Sequence, residues 1–421
     1  MPLVLDNRRR RTPDNDTRES TDEAMNPART APTWWVWLSI LPILSLFILS
    51  NAATPLYTVW QQRMGFSDGT LTQIFVVYIA GLLFSLLLAG PASDRLGRKP
   101  VLIPALALSL AGCALFVTAA DVTVLLVARL LTGVCVGAVV SCGMAAVTDL
   151  AGARRGKLAA LLASSAIVLG SGIGPLFAGA LTDAVDEPVA PVFLTLLVLL
   201  AGSLLIAIKM PLTAHPHRGG PLIRLPSVPR QQVTHLALGI AVFAPGLVGG
   251  SFFLALSPSL LYSLRPGSTA LAAGALVFVA FAAATAIQFA ARRLALPVTL
   301  ATSACATLAG MAALFAAASA HFLPALYAAA ALIGVGQGAG QLAGFTLLNT
   351  TVPRHRLAAA NASLSMGAYL PAAACTLAAG LASDTFGIDT STQLLTAPLL
   401  LMTAVTAVIT VVRRHRLPTS D

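Results

Sequence analysis

Twelve apolar stretches, each long enough to cross a bilayer as a helix, follow one another through this chain with short polar joints between most of them. They cover roughly residues 34–60, 70–92, 100–119, 122–147, 158–182 and 189–209, then 234–262, 269–290, 297–319, 322–350, 356–383 and 391–412. About 20 apolar residues of helix span a bilayer core. Helices are favoured there because lipid offers no partner to a free N–H or C=O. The composition agrees. The chain is 57% hydrophobic and 10% charged, with a mean hydropathy of +0.83, whereas a soluble domain carries about 25% charged residues. There is too little polar material here to coat a water-facing surface. The expectation is an all-α membrane protein.

The formal charge of +10 and the pI near 10.0 would suggest nucleic acid in a soluble protein. The positions of the bases argue otherwise. If the N-terminus is inside, the inner segments hold Arg95, Arg98 and Lys99, then Arg154, Arg155 and Lys157. Lys209, Arg218, Arg224 and Arg230 follow, then Arg292, Arg293, Arg354, Arg356, Arg413, Arg414 and Arg416. The outer loops hold Arg63 and Arg265 but also Asp121, Asp183, Asp186, Glu187, Asp384 and Asp389. Bases on alternate loops are the positive-inside pattern, which orients both termini to the cytoplasm. Miscounting by one helix would scramble it, so the pattern also supports twelve.

Residues 1–33 balance six bases against six acids with few large apolar groups. A disordered cytoplasmic tail is expected there, and no apolar core follows Arg8–Arg11 to make a cleavable signal. The stretch 211–233, rich in Pro, Gly and Arg, reads as a cytoplasmic linker between six-helix bundles at 34–210 and 234–412. Residues 413–421 form a second tail. Cys113, Cys135, Cys142, Cys305 and Cys375 all lie inside apolar runs, as small packing residues do. No metal-ligand spacing and no phosphate-binding loop is present, so neither metal nor cofactor is expected and energy should come from an ion gradient.

The two bundles resemble each other weakly. The segment from Ala53 and that from Leu256 each carry a proline late in a first span, a short loop with an arginine, and a second span. Repeated halves recur in secondary transporters.

Between the second and third spans stands GPASDRLGRKP, with the spacing Gly90-x-x-x-Asp94-Arg95-x-Gly97-Arg98-Lys99. Gly90 allows close helix approach, Gly97 permits a positive φ, and Asp94 can cap a helix or pair with Arg95 or Arg98. This resembles the loop signature of the major facilitator superfamily, G-x-x-x-D-R-x-G-R-K, and the 6+6 layout extends the likeness over nearly the whole chain. The resemblance implies two pseudo-symmetric six-helix bundles (the major facilitator fold), and a conformational latch in this loop that favours an outward-open state. The matching turn of the second half keeps Arg292 and Arg293 but lacks the acid.

Two more stretches extend the likeness. In the fourth span Arg129, Gly133, Gly137 and Ser141 recur every four residues, on one face, similar to the family's R-x-x-x-G-x-x-x-G pattern. An arginine inside a span costs about 2.5–3.5 kcal/mol on insertion scales. Arg129 lies about 12 Å from the helix start at 1.5 Å per residue, too deep for easy snorkelling. In the fifth span Gly170, Gly174, Pro175 and Gly179 resemble the antiporter motif G-x-x-x-G-P-x-x-G-G, with Ala178 in place of one glycine. In the family that motif accompanies drug:proton antiport.

A cavity is expected at the midplane between the halves. Its polar candidates are Asn51, Tyr57, Gln73 and Tyr78 in the first half, and Gln337, Gln341, Asn361 and Tyr369 in the second; each could instead bridge helices. The spans expected to line it carry no mid-span Asp or Glu. Such a lining suits a hydrophobic or amphipathic ligand and disfavours multicationic ones. The expected protein is a monomeric exporter in the bacterial cytoplasmic membrane. It exchanges protons for a small-molecule substrate such as an antibiotic or secondary metabolite. A proton-coupled importer of a small metabolite is the alternative. A membrane enzyme or a non-transporting sensor would need a catalytic cluster or soluble domain that the sequence does not offer.

Overall fold

The computed structural model describes residues 32–152, 155–212, 232–291, 293–352 and 357–412, except the side chains of residues 94, 156, 157, 160, 161, 357, 358 and 405–412. The expected tails, most of the linker and the bases at Arg154, Arg292, Arg354, Arg356 and Arg413–Arg416 lie outside the described residues, as do Arg218, Arg224 and Arg230 and the side chain of Asp94.

The first six spans are α2 (Leu41–Met64), α3 (Asp68–Leu96), α4 (Lys99–Val117), α5 (Val122–Ala151), α6 (Gly156–Ala184) and α7 (Val189–Lys209), preceded by a short α1 (Thr33–Leu38). The second six are α8 (Val233–Ala255) with α9 (Ser257–Leu264), then α10 (Ala270–Ala291), α11 (Leu296–Ala320), α12 (Leu323–Thr351), α13 (Leu357–Phe386) and α14 (Ile388–Val412). Among the described residues eleven spans are long and apolar enough to cross a bilayer, and α14 is a further helix of 25 residues at the place of the twelfth.

Two spans expected as single helices are broken. The first restarts at Leu41, with Pro42 in its first turn, and the Ser39 hydroxyl donates to Val36 O at 2.8 Å to close α1. The seventh breaks at Leu256, with Pro258 in the first turn of α9. Proline has no N–H to give to the preceding turn, but fits the first turn of a new helix. Pro55, by contrast, sits within an unbroken α2, so the likeness between the segments from Ala53 and Leu256 does not extend to their local shape.

Helix pairing shows the pseudo-twofold. Within the first half α3 packs on α5, α2 on α6, α4 on α5 and α4 on α7; within the second, α10 packs on α12, α8 on α13, α11 on α12 and α11 on α14. Across the halves α6 packs on α10, and its counterpart α13 packs on α3. The bundle has a basic end, with Arg95, Arg98, Lys99, Lys209 and Arg293, and an acidic end, with Asp68, Asp121, Asp183, Asp186, Glu187, Asp384 and Asp389.

Among the described residues, hydrogen bonds between the halves gather toward the acidic end. The Thr54 hydroxyl donates to Leu254 O at 3.1 Å, and the Ser259 and Ser383 hydroxyls donate to the Asp68 carboxylate at 2.8 and 2.7 Å. Backbone N–H groups of Gly69, Ala270 and Leu271 donate to carboxylates of the opposite half. The acidic end is therefore the closed end.

Candidate functional site

Arg129 is the one arginine that the structure places deep in a helical half among the described residues. Asp121 caps α5, accepting the Val124 N–H at 3.0 Å, and Arg129 follows two turns later. Its side chain is 2% exposed. Nη1 donates to the Ser50 backbone carbonyl of α2. The guanidinium lies 5.2 Å from the Tyr57 ring centroid, 5.7 Å from Phe116 and 5.9 Å from Tyr78. Three ring faces on α2, α4 and α3 thus surround one cation, an arrangement that stabilises charge in a dry setting. Snorkelling plays no part.

No carboxylate pairs with Arg129 among the described residues. Among the described residues its Nε and the Ser50 and Tyr57 hydroxyls are buried with no partner at standard hydrogen-bond geometry. Trp60 supports the box from behind: it stacks on Phe116 at 5.9 Å and Phe193 at 6.0 Å, and those two stack on each other at 4.8 Å.

Gly133 and Gly137 do not join this box. They face α3: a Cβ on Gly137 would stand 2.5 Å from Leu82 O, and one on Gly133 would collide with Tyr78 O. Their function is close approach, which lets Tyr78 reach the guanidinium. Gly81 on α3 answers them, facing Leu130 O.

The proline-glycine pattern of α6 divides between two interfaces. Gly170 and Gly174 face α2, where a Cβ would be 2.7 Å from Leu44 O and 2.5 Å from Ile48 O. Gly179 and the Pro175 carbonyl face α10 in the other half, against Ala270 and Gly274.

At the basic end Gly97 ends α3 with φ 93° and ψ 170°, a region open essentially to glycine alone. Gly90 faces Ser141 Oγ, 3.1 Å from an added Cβ. Arg98 donates through Nε to Asp149 at 3.0 Å and through Nη1 to Ser93 Oγ at 2.9 Å. Lys99 Nζ donates to Ile208 O at 2.8 Å. The loop thereby ties α3, α5 and α7 of one half together, and Arg95 is half-buried beside it.

The other candidates are scattered. Asn51 is buried and donates to Phe47 O at 2.9 Å within its own helix. Gln73 is exposed and is not among the residues that surround Arg129. Gln337 sits against Gly246 and Gly250 of α8. Gln341 accepts from Gln288 Nε2 at 3.1 Å, joining α10 to α12. Asn361 and Tyr369 are half-buried on α13, and Asn361 Oδ1 has no partner among the described residues. Sequence reasoning missed Ser50, Phe116, Gln288 and Asp149. A backbone carbonyl carries no sequence signal, and a phenylalanine in an apolar run looks like any other core residue.

A sequence model of the Major Facilitator Superfamily matches residues 38–298. Two curated relatives match shorter segments. The multidrug resistance protein MdtM of Escherichia coli O157:H7 is 35% identical over 106 residues, 25% of this chain and 26% of that one. The multidrug resistance protein MdtL of Escherichia coli K12 is 34% identical over 123 residues, 28% of this chain and 32% of that one. The matched segments thus span between a quarter and a third of those relatives. Among solved structures, an inward-facing, unoccupied bacterial homologue of the human lysosomal transporter Spinster superposes with a TM-score of 0.66 at 15% identity, over 90% of this chain and 95% of that one. The nucleoside transporter NupG superposes with a TM-score of 0.70 at 13% identity, over 90% and 99%. These two share the fold.

Proposed function

The chain belongs to the Major Facilitator Superfamily, and on that footing we propose that it exports a small hydrophobic or amphipathic compound in exchange for protons. Export proceeds by alternating access of the two halves, across a bacterial cytoplasmic membrane with the basic end inside. The observation that carries this reading is the Arg129 box. A guanidinium kept inside a membrane-embedded half, with no carboxylate to neutralise it among the described residues, is costly and therefore points to function. Its field repels cationic ligands from the first half and favours neutral or anionic ones. The names of MdtM and MdtL support export of drugs, and the glycine-proline pattern of α6 supports antiport.

Proton transfer falls to groups other than mid-span carboxylates of the lining helices, since none is present there. The loop from Gly90 to Lys99 acts as the latch of the opposite conformation, with Asp94 as its acid. No metal or organic cofactor takes part.

The test is transport in inverted membrane vesicles. With an acid interior, vesicles holding the protein should accumulate a neutral amphipathic antibiotic, and should discharge the pH gradient when the compound is added. Accumulation that needs the opposite gradient would make the protein an importer. A susceptibility screen of an expressing strain against its deletion identifies the compound.

A further inference from the structure

Two five-residue stretches are alike and stand at corresponding places. Gly179-Ala180-Leu181-Thr182-Asp183 closes α6, and Gly380-Leu381-Ala382-Ser383-Asp384 lies at the end of α13. Both read G-x-x-[ST]-D. The helices α6 and α13 are partners under the pseudo-twofold, and both stretches reach the acidic end.

Each crosses to the other half and meets the start of a helix there. Asp183 accepts the N–H groups of Ala270 and Leu271, the first two residues of α10, one on each carboxylate oxygen at 2.9 Å. Asp384 accepts the N–H of Gly69, the second residue of α3, on both oxygens at 3.1 Å. The first N–H groups of a helix have no partner within it, and its N-terminus carries partial positive charge, so a carboxylate from elsewhere satisfies both.

The glycine of each stretch lets the ends meet. A Cβ on Gly179 would lie 2.5 Å from Ala270 O, and one on Gly380 would lie 2.8 Å from Asp68 O and collide with Thr72. The hydroxyls differ: Ser383 reaches across to Asp68 at 2.7 Å, whereas Thr182 turns back to Ala178 O at 2.7 Å.

We propose that these stretches are a duplicated pair of latches that hold the acidic end shut. Asp183 of α6 against the start of α10, and Asp384 of α13 against the start of α3, are engaged in this conformation, and both contacts must break before the acidic end can open. The proposal rests on alternating access of the two halves but not on what is carried.

The experiment uses the full chain with its five cysteines replaced and spin labels at Thr118 and His321, exposed at the acidic end of opposite halves. A second pair at Lys209 and Leu294 reads the basic end. Distances are measured without substrate. The parent should show mainly the short acidic-end distance. Asp183→Asn and Asp384→Asn should each raise the long-distance population relative to the short by about fivefold or more, and the double variant by about the product.

Gly179→Leu and Gly380→Leu, which spare the carboxylates, should shift it in the same direction. A basic-end distance that shortens in step identifies a folded, switching protein. A double variant whose acidic-end populations stay within about twofold of the parent overturns the proposal, and a response confined to one aspartate overturns the pairing. If the distances move as expected while no compound is exported, the latches stand and the export reading falls.

Discussion

Replacing Arg129 by methionine tests whether the buried cation transports or merely packs. Its removal takes away one charge-assisted hydrogen bond to Ser50 O, about 1.5–3 kcal/mol. It also removes contacts with three rings, about 0.5–1 kcal/mol each when they share one cation. Against this, an arginine at depth costs about 2.5–3.5 kcal/mol relative to an apolar side chain. Methionine fills much of the same volume and packs well on aromatic faces. Losses of about 3–6 kcal/mol against a gain of about 2.5–3.5 kcal/mol leave a net destabilisation of about 0–3 kcal/mol, toward the lower end where methionine packs well on the rings. At about 2–4 °C per kcal/mol, the thermal unfolding temperature in detergent should fall by less than about ten degrees. Drug-driven proton release should nevertheless fall at least tenfold. Arg129→Lys keeps the charge but loses the planar fork and the stacking, and should fall between. Undiminished transport in the methionine variant would refute the functional assignment. A transport loss matched by a drop of ten degrees or more would make the arginine structural.

Three further outcomes follow from the geometry. Gly137→Leu would force α5 away from Leu82 O and should lower stability by about 1–3 kcal/mol, read as a lower unfolding temperature, with Gly137→Ala in the same direction and smaller. Gly97→Ala places a Cβ where φ is 93° and should cost about 1–3 kcal/mol, whereas Pro100→Ala next door should be much milder. Asp149→Asn removes an ion pair whose partners are 25% and 51% exposed. Such pairs are worth about 0–1 kcal/mol, so unfolding should hardly change. A large stability loss there would mean that the loop's ties to α5 are more cooperative than their exposure suggests.

Much of this architecture could be read from residue order because a bilayer leaves few choices. Length and apolarity located the helices, and the four-residue spacing put Gly133 with Gly137, and Gly170 with Gly174, on shared faces. The structure uses those faces for close approach, and in the first pair not for the Arg129 box with which the spacing groups them. What escaped was partner and direction. Arg129 was placed in depth, yet nothing in α2 marks Ser50 as its acceptor, since every residue has a carbonyl. The breaks at Ser39 and Leu256 escaped because a proline can either bend a span or restart it, and the outcome depends on what packs alongside. Gln73 and Gln341 looked equivalent as polar residues within spans. The first is exposed and the second is tied to Gln288, a difference of helix rotation that packing alone decides. The repeat of G-x-x-[ST]-D was there to be read, but two aspartates at helix ends look like ordinary loop acids until their partners are seen.

The interfaces within and between the halves differ in what replaces them when they part. Inside a half, glycines at 81, 133, 137, 170 and 174 bring backbones together in the apolar interior. Nothing in hydrocarbon can substitute for those contacts, and separating them would leave gaps with no partner atoms. Among the described residues the hydrogen bonds between the halves gather at the acidic end, most of them on carboxylates and helix N-termini. There water can take over both the freed N–H and the freed carboxylate, so the net cost of breaking each is about 1.5–3 kcal/mol rather than the full cost of an unmet polar group in lipid. Contacts of that size can favour one conformation tenfold or more and still yield on the time scale of a transport cycle. Placing the same aspartates at mid-span would have locked the halves together.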